Sequence, residues 1–140
     1  MKIKLLVLIC FLVLTGCGIN RDSSGQQKDL LDENQIVQDF NEQGIQLEAI
    51  SIKDSIFIQR LKLKKPKVYE FEKDKYYFYF FNNANKVKEA KKEFMKKTES
   101  MNIVSHNFYQ IKNVLVIHQY PGEMRSEGDP VIEKIISKYK

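Results

Sequence analysis

Six aromatic side chains follow one another at Tyr76-Tyr77-Phe78-Tyr79-Phe80-Phe81. Aromatic residues favour strands and fill cores, and a strand sends successive side chains to opposite faces. The run therefore reads as a strand that must be covered, with Lys73, Asp74, Lys75, Asn82 and Asn83 as polar flanks that discourage aggregation. Upstream, Lys67-Val68-Tyr69-Glu70-Phe71-Glu72 alternates apolar and polar. A two-residue turn centred on 73–74 or 74–75 would join the two segments in a hairpin. Either turn puts Tyr69 and Phe71 on one side with Tyr76, Phe78 and Phe80, and Glu70 and Glu72 on the other with Tyr77 and Tyr79. One face is expected to be core and the other amphipathic.

The remaining periodicities add helices and a second hairpin. Asp32 with Gln35 forms a capping-box pattern, and Ile36, Val37 and Phe40 give a helix over about 33–43 that Gly44 ends. Residues 45–63 alternate in part (Ile45, Leu47, Ala49) and stay apolar through Ile50, Ile52, Ile56 and Ile58; one or two strands are expected, with Asp54-Ser55 as a turn. After the asparagines, Ala84, Val87, Ala90, Phe94, Thr98 and Met101 recur at helical spacing over about 84–101. Ile103–Ile111 would pair with Val114–Tyr120 across Lys112-Asn113. Asp129-Pro130 opens a last helix with Ile132, Ile135, Ile136 and Tyr139 as its stripe. The order helix, strands, hairpin, helix, hairpin, helix predicts an α+β fold: an antiparallel sheet with about three helices packed on it.

The N-terminus has a different grammar. Lys2 and Lys4 precede the unbroken apolar run Leu5–Leu14, and Thr15, Gly16 and Cys17 follow. These are the three parts of an export signal. Ten residues make about 15 Å of helix, too short for a hydrocarbon core about 30 Å thick. Leu14-Thr15-Gly16-Cys17 resembles the lipobox of bacterial lipoproteins. That resemblance implies a diacylglyceryl group on the Cys17 thiol and signal-peptidase cleavage between Gly16 and Cys17. The expected organisation is a cleaved leader at 1–16, a lipidated cysteine and polar tether at 17–30, and a single domain at 31–140. Cys10, the other cysteine, would leave with the leader, so no free thiol remains for a disulfide, a metal or nucleophilic attack.

Three segments of the domain, Lys65-Pro66-Lys67-Val68-Tyr69-Glu70-Phe71, Tyr77-Phe78-Tyr79-Phe80-Phe81 and Lys112-Asn113-Val114-Leu115-Val116-Ile117, loosely resemble small uncharacterised surface lipoproteins of spore-forming, low-GC Gram-positive bacteria. The resemblance implies a fold and an extracytoplasmic location, and brings no catalytic residue. The location argues against nucleic-acid binding and cytoplasmic cofactor chemistry; no cofactor is expected.

Charge is uneven. Residues 18–59 hold three basic and eight acidic side chains, whereas 62–97 hold twelve basic and five acidic. Lys88, Lys92 and Lys96 are spaced by four and line one helix face, where Glu89 and Glu93 relieve repulsion through Lys92, Lys96 and Lys97. Such a face could meet anionic lipid or cell-wall polymer, at about 1 kcal/mol per lysine near a charged surface, or be merely solvated. Tyr77 and Tyr79 could form a stacking platform for a glycan or another flat ligand. In the second hairpin facing residues sum to 225, so His106 and His118 point to opposite faces and a shared metal is not expected. No Gly-x-Ser-x-Gly, His-Glu-x-x-His or Gly-rich phosphate loop is present. The expectation is a membrane-anchored binding or accessory module of the cell envelope without catalytic activity, meeting a membrane, a polymer or a protein partner. A surface hydrolase and an immunity or exclusion lipoprotein are the alternatives.

Overall fold

The computed structural model describes residues 30–61 and 65–140. The leader, Cys17, the tether up to residue 29, and Lys62 and Lys64 lie outside the described residues. The elements run α1 (Glu33–Glu42), β1 (Glu48–Ala49), α2 (Ile56–Arg60), β2 (Lys67–Phe71), β3 (Asp74–Phe80), α3 (Ala84–Thr98), β4 (His106–Ile111), β5 (Val114–Gln119) and α4 (Pro130–Ser137). The strands form one antiparallel sheet in the order β1-β2-β3-β5-β4. The fold is α+β, as the pattern of periodicities predicts.

Helices cover both faces of the sheet. On one face α1 and α4 bring Ile36, Phe40, Ile132 and Ile135 onto Tyr69, Tyr76, Phe78, Val114 and Val116. Phe40 presents its edge to Tyr76 and Phe78 at ring separations of 5.5 and 5.3 Å. On the other face α2 and α3 bring Phe57, Val87, Ala90 and Phe94 onto Val68, Tyr77, Tyr79, Leu115 and Ile117. The expected amphipathic face is thus a second core. The central strands β3 and β5 are apolar on both sides, as strands buried between two layers must be.

The caps follow their residues. Asp32 accepts from the Gln35 amide while Gln35 returns a bond to Asp32. Asn83 accepts from the Lys86 amide, and Asp129 from Val131 and Ile132. Gly44, at φ 86°, ends α1 in a Schellman motif: its own N–H bonds Asn41 O, and Ile45 N–H bonds Phe40 O, both at 3.0 Å.

Several expectations are corrected. In residues 45–61 the chain forms one strand, the two-residue β1, and then a helix where a second strand was the alternative. Ser55, expected in a turn, caps that helix by accepting from the Phe57 amide, and the helix buries Phe57 and, just beyond it, Leu61. The first hairpin turns at Glu72-Lys73, because Phe71 already pairs with Asp74. That displacement moves the pairing by two or four residues, an even number either way, so the strand side chains keep their expected faces, while Glu72 leaves the strand for the turn. The second hairpin has the expected register (His106↔Gln119 through Ile111↔Val114), although β4 begins at His106 rather than near Ile103. Glu72 and Lys112, each first in its two-residue turn, have positive φ of 57° and 48°, as primed hairpin turns demand of a first loop residue.

A lysine-lined groove beside the edge strand

The sheet has two unlike edges. β1 ends it after two residues. β4 ends it with six, His-Asn-Phe-Tyr-Gln-Ile, none of them charged and none a proline. Natural edges are normally shortened or charged to prevent pairing with other chains, and β4 carries neither protection.

α3 runs beside this edge, leaving between them a groove of about 840 Å³. Its floor is Phe94, Phe108 and His106; its helical wall carries Val87, Met95 and Thr98. Met95 is 55% exposed, a large apolar side chain left in solvent at the rim. Lys88, Lys91, Lys92 and Lys96 surround the apolar floor, with Glu99 the one carboxylate among the lining residues. Lys91 places its ammonium 5.7 Å from the Phe108 ring centre.

The structure thus brings Lys88, Lys92 and Lys96 to one groove. Of the two carboxylates expected to relieve that face, Glu93 pairs with Lys97, as expected, whereas Glu89 pairs with Lys86 at 2.7 Å and not with Lys92. Among the described residues none of Lys88, Lys92 and Lys96 forms an ion pair, so the groove keeps its positive charge.

Tyr77 and Tyr79 do not form a stacking platform. Both are about 1% exposed. Tyr79 donates to Phe57 O at 2.6 Å, and Tyr77 accepts from Ser55 Oγ and donates to Gln119 Oε1. Their faces are covered by α2 and α3, the layer that made the second core. Burial raises both phenols above their ordinary range.

The two histidines stand on opposite faces. His106 sits among the rings of Phe57, Phe94 and Phe108, with centres 4.9 to 6.0 Å away. Its Nδ1 lies 2.8 Å from Val104 O; a carbonyl can only accept, so this nitrogen carries the proton. Burial lowers its pKa against the opposing pull of that bond. His118 is fully buried, stacked on Tyr76 at 4.6 Å, with Nε2 2.8 Å from Asp74 Oδ2. Its Nδ1 is buried without a hydrogen-bond partner among the described residues. A histidine–carboxylate pair acts in catalysis by presenting its second nitrogen to a reacting atom; here that nitrogen faces packed core, and the pair ties β5 to the start of β3.

Sequence reasoning missed Lys91, Met95, Phe108 and His106 as groove residues. Lys91 and Met95 lie on α3 beside the face of Lys88, Lys92 and Lys96, but only the sheet order reveals that this flank lies over a free edge. No helix among the described residues is long and apolar enough to cross a membrane. In comparisons with known proteins the chain matches no family, no curated protein and no solved structure.

Proposed function

We propose that the chain is an exported lipoprotein, cleaved before Cys17 and held by lipid on that cysteine at the outer face of a membrane, whose domain is a non-catalytic binding module of the cell envelope. The lipobox-like Leu14-Thr15-Gly16-Cys17 supports the anchor. The observation that carries the binding role is the groove between α3 and β4, where, among the described residues, Lys88, Lys92 and Lys96 have no ion-pair partner around an apolar floor. Unpaired cations beside exposed apolar surface suit an anionic partner with apolar parts. Binding fits this site better than hydrolysis: its ionisable groups are lysines, one glutamate, and a histidine packed among the rings of Phe57, Phe94 and Phe108.

The anchor is tested by Cys17→Ala with detergent phase partitioning and mass analysis of the processed N-terminus. Wild type should enter the detergent phase with diacylglyceryl mass on Cys17, and the variant should remain aqueous. Wild-type protein recovered without acyl mass would refute the anchor.

A further inference from the structure

We propose that the groove receives an extended acidic segment of a partner protein, which adds to the sheet as a sixth strand along β4. The proposal rests on the reading of the groove as a binding site and names what that site takes.

The hydrogen-bond phase of the hairpin supplies the first reason. Tyr120 N–H bonds Ser105 O at 3.1 Å. In an antiparallel ladder bonded pairs alternate with unbonded ones, so with this register Asn107, Tyr109 and Ile111 direct their backbone groups to β5. His106, Phe108 and Gln110 direct theirs outward. Among the described residues nothing bonds those outward groups. The same three residues send their side chains to the α3 side and line the groove. Backbone donors and acceptors, apolar floor and lysines therefore face one channel. A strand added there gains main-chain bonds from the edge and side-chain selection from the helix, the two components of recognition by strand addition.

Charge selects the occupant. In an antiparallel addition, the residue opposite Phe108 points its side chain to the same face as Phe108, among Lys88, Lys91 and Lys92. Alternate acidic residues meet those ammonium groups. A second copy of this chain pairing β4 to β4 would bring two lysine rows together, which like-charge repulsion opposes. Residues 18–29 carry two basic and two acidic side chains and offer no acidic excess.

The test is calorimetric titration of the full chain in detergent with a short peptide alternating glutamate and valine. Binding should occur, and the same peptide with lysine for glutamate should not bind. N-methylation of the glutamate amides should abolish binding while N-methylation of the valine amides leaves it, because in antiparallel pairing only the glutamate N–H groups face β4. The reverse dependence would mean parallel addition and still support a sixth strand; equal tolerance or equal loss would overturn it. Lys88→Glu with Lys92→Glu, both exposed and checked for folding by circular dichroism, should weaken binding by about tenfold or more. If the peptide does not bind, but phosphatidylglycerol vesicles do through the same lysines, the strand proposal falls and the binding-module reading stands. Failure of both probes removes the groove from either reading. Self-association lost on adding charge to β4, as in Phe108→Lys, would overturn the acidic-partner proposal in favour of a dimer.

Discussion

His106 shows how a single buried side chain makes the fold pH-sensitive. The residue is 8% exposed, and burial holds its pKa below the ordinary 6.5. As pH falls through 6.5 the unfolded chain takes a proton that the folded ring resists. Stability is therefore complete above about 6.5 and declines below it until the folded ring itself titrates. Thermal melts between pH 7.5 and 5 should show this decline, and His106→Phe should flatten it, since phenylalanine fits among three rings that already surround the site. Glu33, held low by the hydroxyl of Tyr69 and then by Lys67, acts only below its ordinary 4.5 and stays out of that window. An unchanged slope in the variant would mean that another group governs the acid response.

At the scale of elements, the caps are where local sequence and structure agree most closely. Gly44 holds φ 86° with open space around a would-be Cβ, so Gly44→Ala tests backbone strain without a clash. It should cost about 1 kcal/mol, read as a fall in the denaturation midpoint with unchanged m-value. The same locality explains what was legible in advance. Asp32, the asparagines before α3 and Asp129 announce helix starts within a few residues of themselves, and the alternation of β4 and β5 fixed their facing. The helix α2 was not legible, because Ile50, Ile52, Ile56 and Ile58 alternate like a strand and only the burial of Phe57 against Tyr77 and Phe94 decides the matter. Likewise Tyr77 and Tyr79 read as one face of a hairpin; that α2 and α3 cover that face depends on packing between distant elements. The lysines of α3 were legible as a face, and the free edge beside them was not.

The whole molecule is closed by two polar clamps far apart in sequence. At the C-terminal end Lys138 bonds Asp39 at 2.6 Å and Glu42 at 3.1 Å, while Tyr139 donates to the other Asp39 oxygen, joining α4 to α1. At the N-terminal end the 3% exposed Asn113 accepts from Leu31 N–H at 2.7 Å and donates to Leu31 O and Phe81 O, both at 3.1 Å. Asn113→Ala would strand three backbone groups and should cost about 3 kcal/mol, with faster hydrogen exchange at the Leu31 amide. A loss below about 0.5 kcal/mol would mean that water replaces those bonds. Asn113 also decides where mechanical load enters the domain. Tension along the N-terminus arrives at Leu31 and passes to the turn joining β4 to β5, next to the groove. Anything gripped by β4 while the N-terminus is held would load the hairpin of β4 and β5 through Asn113.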